Sequence, residues 1–366
     1  MRNSKIKITA LSLTLILMFG VFGGSPVSAA ENPTLSLEQA TARALESSVK
    51  IKKAQTDIDK ADYEFQRAMS NVSMVPTSPW QDANASAIYQ GYMLAQENYF
   101  SKKTAYNLSI EQLIHSTKIA YFDIQKKTQA KEVAELAFKQ AERELRIANL
   151  KQNYGMMSAF GQRQAVINRN TKSSELSSAK KSLDNAWVSF RNLIGAKTGE
   201  NFILSDKLEY EALEMSEANM FAHAASISGH EYLTYLAEFG AASAKISYDY
   251  FYPTTTASYQ ATEKGLQSAN YAVTLTKEGY EQAVREMYYS IRQLENSYEI
   301  MLSTRDQLQE SLRLAELQFK LGMIAELDLE ATRLQLKELE KTIQAMEIDH
   351  SLLLQSFLKP WLSSAS

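Results

Sequence analysis

The chain has 366 residues, 45% hydrophobic and 22% charged, with 13 glycines, 6 prolines and no cysteine. Glycine and proline fall below their ordinary usage of roughly 7% and 5%, which excludes a turn-rich all-β fold, and the missing cysteines exclude disulfides, thiolate chemistry and a lipid-modified cysteine. There are 39 basic and 42 acidic residues, and three of the basic ones, Arg2, Lys5 and Lys7, lie in the first 29 positions. Without those positions the balance is 36 against 42, about −6, which excludes a nucleic-acid binder by bulk charge.

Those basic residues precede an apolar run from Ile8 to Gly24 and the small residues Val27-Ser28-Ala29, the layout of a secretory signal over residues 1–29. Interrupted by Thr9, Ser12, Thr14 and Gly20, the run is marginal as a membrane-spanning helix. Ser36 then reads as a helix N-cap, and small or apolar residues recur at Ala40, Ala44, Val49, Ala54, Ile58 and Ala61, predicting one helix that fades near Ser70. Residues 70–91, with Pro76, Pro79, Trp80 and Gly91, read as a connector. A rod of roughly 90 Å is expected from Tyr92 to Asn153, where nothing interrupts a helix. Its seam is small: Ala130, Ala134, Ala137, Ala141, Leu145 and Ala148, spacing that lets helix axes approach closely.

The second rod carries Val284, Met287, Ile291, Leu294, Tyr298, Met301, Leu308, Leu312, Ala315 and Phe319 on alternating steps of three and four. After Gly322 the pattern resumes at Leu329, Thr332, Leu336, Leu339, Ile343, Met346, His350, Leu353 and Phe357. A period of 3.5 predicts left-handed supercoiled helices packed knobs into holes. The opposite face, with Arg285, Arg292, Glu295, Glu299 and Glu310, suits either a wet lumen or plain solvent. Arg305 and His350 fall on seam positions, where polar groups fix register or oligomer number.

A shift of 167 residues superposes Tyr121 on Tyr288, Ile124 on Ile291, Leu145-Arg146 on Leu312-Arg313, Gly155-Met156 on Gly322-Met323 and Phe190 on Phe357. Upstream the shift becomes about 180, with Ala44 on Ala224 and Ala61 on Ala241, so the second half lacks about 13 residues of connector. The expected organisation is a signal at 1–29, a first helical hairpin at 30–195, a linker at 196–215 and a second hairpin at 216–366, an all-α chain of duplicated antiparallel hairpins. Gly155 and Gly322 mark the hairpin tips. Around them Tyr154, Met156 and Met157, and Leu321, Met323 and Ile324, either pack within the turn or form a docking surface.

The four histidines, His115, His223, His230 and His350, form no His-Glu-x-x-His pair. Nucleophile elbow, phosphate loop and dinucleotide fingerprint are all lacking, so no catalytic site, metal or cofactor is expected.

The segments Leu35–Ala61, Tyr121–Gly195 with its Asn192-Leu193-Ile194-Gly195 ending, and Tyr288–Phe357 with the tip run Leu321–Leu329 resemble the TolC-type outer-membrane efflux protein family. That resemblance implies a homotrimer whose helices form a hollow barrel, the exit duct of an efflux or type I secretion system. It further implies tips that meet a periplasmic-adaptor-like (membrane fusion) protein, an inner-membrane exporter behind it, and an acidic gate at Asp328, flanked by Glu326 and Glu330. The two glutamates also suit a plain solvated helix face, and the first hairpin has Gly161 where the second has Asp328.

The chain departs from the family at the membrane end. A transmembrane strand needs roughly 9–11 residues and a hairpin of two roughly 25. The stretch 70–91 holds 22 residues with two prolines, and 253–263 is shorter, with room for one strand over Thr254–Tyr259. Both strand pairs therefore read as deleted or vestigial, and direct membrane insertion is not expected. Tyr248, Tyr250, Phe251, Tyr252 and Tyr259 crowd that end, either closing off the helices or marking an interfacial belt. The envelope location survives this departure. A non-transporting coiled-coil scaffold of the cell envelope is the alternative reading.

Overall fold

The computed structural model describes residues 33–76, 82–208, 210–251 and 258–362. The expected signal, Pro79, Trp80, Tyr252 and most of the strand expected at Thr254–Tyr259 lie outside these residues.

Eight helices make up most of the described chain: α1 (Leu37–Ser47), α2 (Val49–Ser70), α3 (Ala83–Asn153), α4 (Ala159–Leu193), α5 (Glu217–Ile227), α6 (Glu231–Asp249), α7 (Tyr259–Lys320) and α8 (Glu326–Leu358). A 3-10 turn follows at Pro360–Leu362. The two short strands β1 (Thr34–Leu35) and β2 (Ile203–Leu204) pair in parallel, Thr34 with Ile203 and Leu35 with Leu204. The fold is all-α, as expected. Its longest element, α3, has 71 residues, about 105 Å of rod.

Two helix boundaries differ from the sequence reading. The single helix expected from Ser36 is broken at Ser48, whose ψ of 112° is extended and whose hydroxyl caps α2 through the Ile51 N–H at 3.3 Å. Tertiary contact fixes this break. Gly195 (φ +65°) sits directly against Ser47, and the Ser47 hydroxyl donates to the Leu193 carbonyl at 3.4 Å. The second difference is the start of α3, nine residues before Tyr92. Asp82 caps it by accepting from Asn84 N and Ala85 N at 2.8 and 3.0 Å. Gly91 is carried inside the helix because the next turns are held by packing: Phe65 of α2 stacks on Tyr92 and Tyr99, with centroids 5.6 and 6.0 Å apart.

Seam residues behave as a 3.5 period requires. In α8, Leu329, Leu336, Ile343, His350 and Phe357 are all buried, one per heptad. In α3, Ala137, Ala141 and Ala148 are buried where α4 runs back alongside it. In α7 the buried set is Val284, Tyr288, Ile291, Glu295, Tyr298 and Ala315. The seam thus takes Tyr288 and Glu295 rather than the expected Met287 and Leu294, and Glu295 leaves the wet face assigned to it. The cause is the connector between the halves, whose Leu213 N–H donates to Glu295 and whose Met215 carbonyl accepts from Tyr288 and Arg292.

The core sits midway along the rods. One cluster joins Leu35, Ala40, Ala44, Tyr121, Phe122, Ile124 and Phe190, with Ile348 reaching in from α8. A second joins Met220, Ala224, Val284, Tyr288, Ile291 and Phe357. A third seats Trp361 and Leu362 on Leu108 and Leu233. Helices α1 and α5 each have 11 residues and each start after a serine cap, Ser36 and Ser216. Most of the shortfall read as missing connector is missing helix, since α7 has 62 residues against 71 in α3.

Candidate functional site

Each long hairpin turns through the same backbone geometry. At the first tip Tyr154 N donates to Leu150 O (3.2 Å), Gly155 N to Gln152 O (2.9 Å) and Met156 N to Lys151 O (2.7 Å). At the second, Leu321 N donates to Leu317 O (3.0 Å), Gly322 N to Phe319 O (3.0 Å) and Met323 N to Gln318 O (2.8 Å). The glycines stand at φ +72° and +70°. This is the Schellman closure, in which a left-handed residue lets two amides fold back onto the last helical carbonyls.

That closure spends the backbone groups and leaves the side chains outside. Tyr154 is 79% exposed, Met156 74%, Leu321 74% and Met323 68%, so these four do not pack within the turn. Met157 and Ile324 are half-buried. Phe160, which the sequence reading did not single out, adds a further ring at 71% exposure.

The acidic group is more constrained than its spacing suggested. The Asp328 carboxylate turns back on its own helix and accepts from Ala325 N at 3.2 Å, satisfying one orphan donor of the α8 N-terminus. The first tip solves the same problem from the other side: the Ser158 hydroxyl accepts from Gly161 N at 3.2 Å. Serine and glycine at one tip, alanine and aspartate at the other, are reciprocal caps. Glu330 forms an ion pair with Arg143 of α3, and Glu326 lies 3.7 Å from the same guanidinium. Arg143 is thus a residue of this site that sequence spacing missed, because nothing local links it to positions more than 180 residues away.

Of the histidines, His223 places Nε2 3.2 Å from the Phe357 carbonyl. His230 accepts from Tyr232 N at 3.2 Å and stacks on Trp361, centroids 4.0 Å apart. His115 is buried, and burial lowers its pKa. His350 and Glu295 meet between α7 and α8, Nε2 to Oε1 3.2 Å. Glu295 also accepts from Leu213 N at 2.7 Å and from Arg292 Nη1 at 2.7 Å. Burial pushes this carboxyl up, but the Leu213 amide, Arg292 and His350 outweigh burial and hold it below the ordinary carboxylate value. One helical turn on, Tyr298 donates to Glu347 at 2.9 Å, and burial together with that carboxylate pushes Tyr298 up to about 12.

At the other end of the rods, residues 71–82 separate α2 from α3 and residues 250–258 separate α6 from α7. Twelve and nine residues are each about one transmembrane strand, too short for a pair with its turn. Tyr259, expected in a strand, opens α7. The aromatics there contact one another: Tyr250 meets Tyr89 at 4.9 Å, Tyr248 meets Tyr259 at 5.2 Å, and Phe251 is buried. Among the described residues no helix is long and apolar enough to cross a membrane.

Solved structures share this arrangement. A membrane protein from Pseudomonas aeruginosa superposes with a TM-score of 0.62 at 11% identity, over 89% of this chain and 93% of that one. The outer membrane channel CmeC of Campylobacter jejuni gives 0.61 at 11% identity, over 89% and 85%. The MtrE outer membrane channel of Neisseria gonorrhoeae, in its open state, gives 0.55 at 14% identity, over 92% and 93%. No protein-family model and no curated protein sequence matches the chain. The likeness is one of fold: the chain folds as the TolC-type outer-membrane channels do.

Proposed function

We propose that this chain is an exported building block of a helical efflux or secretion conduit, working as a homotrimer. Its tips dock a periplasmic-adaptor-like protein, which couples the conduit to an inner-membrane exporter. The observation that carries the reading is the pair of Schellman-closed tips with bare apolar side chains, on a fold shared with outer membrane channels. Residues of the two halves at the 167-residue shift have matching burial, Phe190 with Phe357 and Ile124 with Ile291, which supports descent by internal duplication.

Assembly has its own support. Of the 35 residues of α4 only Phe190 is buried, while Phe160, Ile167 and Val188 lie exposed at multiples of seven. On α7 Ile300 and Leu314 do the same. Apolar residues at heptad spacing on an outer face suit lateral packing against another helix pair. One chain has too few long helices to enclose a lumen, so the conduit reading requires several copies.

The short connectors favour a second reading, an envelope scaffold without a through-channel. Light scattering on residues 30–366 purified without detergent separates the two. The conduit reading expects a stable particle of three chains. A monomer at all concentrations favours the scaffold, and recovery only in detergent restores a membrane-inserted end.

A further inference from the structure

The connector between α4 and α5 is held at two separate places. On the first half, Asp206 accepts from the α1 amide Leu37 N at 2.9 Å through its carboxylate, while its own N–H donates to the Tyr121 hydroxyl at 3.1 Å. On the second half, Leu213 N donates to Glu295 at 2.7 Å, and Arg292 and Tyr288 both donate to the Met215 carbonyl, at 2.5 and 3.2 Å. Six residues lie between Asp206 and Leu213, a reach of at most about 25 Å. Glu295 is only 8% exposed. A carboxylate that deep is stable only while its donors stay in place, so connector and carboxylate depend on each other.

We propose that residues 210–215 form a strap, latched by Glu295, that fixes how the second hairpin leans on the first and so sets the spacing of the two tips. Nearer the tips the halves are joined at the partly exposed Arg143–Glu330 pair, and ion pairs open to water are worth little. The latch lies about 40 Å from the second tip along α7, so a small change of angle at the strap becomes a large displacement there. The proposal holds whether the assembly is a conduit or a scaffold.

The test uses the full mature chain, whose lack of native cysteine allows spin labels at Asn153→Cys and Lys320→Cys, diluted with unlabelled protein. Glu295→Ala is expected to speed hydrogen exchange at the Leu213 amide at least tenfold, to speed cleavage by a glutamate-specific protease after Glu211 and Glu214, whose side chains are already exposed, and to broaden the label-to-label distance distribution. Glu295→Gln, which keeps an acceptor for Leu213, is expected to give smaller changes of the same kind and serves if the alanine variant does not fold. Unchanged Leu213 exchange in both variants would overturn the latch. Faster exchange with an unchanged tip-to-tip distribution would overturn the strap's control of the tips.

Discussion

Gly155 and Gly322 share a left-handed backbone, and a Cβ at either would meet nothing within 4 Å. Alanine there meets only the conformational penalty, about 1–2 kcal/mol, so Gly155→Ala and Gly322→Ala should lower the denaturant midpoint by similar amounts. Gly195 differs: its φ is +65° and a Cβ would collide with Ser47, so Gly195→Ala should cost more than either. Equal effects at all three would refute the distinction. Glu295 carries a pH prediction. Because its folded-state pKa is depressed, its contribution is complete at neutral pH and is lost only as pH falls below about 4. Glu295→Gln should therefore lose about 1–3 kcal/mol at pH 7 and show a flatter acid limb in a pH series of denaturation curves. The tip glycines were legible because a glycine between two periodic runs has one common use. Glu295 was not, because Leu294 is the better seam residue by hydrophobicity alone, and two of the partners that decide otherwise lie far off in the chain, Leu213 82 residues upstream and His350 55 residues downstream.

At the scale of elements, the reciprocal caps separate two roles for Asp328. As a cap, Asp328→Ala should destabilise α8 by about 1 kcal/mol, and Ser158→Ala should do the same for α4. A residue acting only on a lumen would leave stability untouched and change passage alone. The buried rings Phe190 and Phe357 anchor the two core clusters, and truncation of either to alanine should cost about 3–5 kcal/mol. Calorimetry on the single variants checks both sets. The long helices and their tips were readable from period, because 3.5-residue spacing directly records which face is covered. The ends were less so: the α1–α2 break and the early start of α3 answer to Gly195 and Phe65, contacts made across the fold that no local window contains.

For the whole molecule, two features pull in different directions. The fold is shared with outer membrane channels, yet the connectors at residues 71–82 and 250–258 have no length for strand pairs. A conduit of this kind would end in closed-off helices with their aromatics packed on one another, and any junction with a membrane would rest on other components. In the proposed assembly the exposed heptad-spaced residues of α4 and α7 are the surface offered to neighbouring copies. Electron cryo-microscopy of the detergent-free particle tests this account most directly. The expected result is end-on views with three-fold symmetry, a ring of long helices around an empty centre, and no β-barrel beyond it. Single four-helix rods, or a bundle packed solid through its axis, would contradict it.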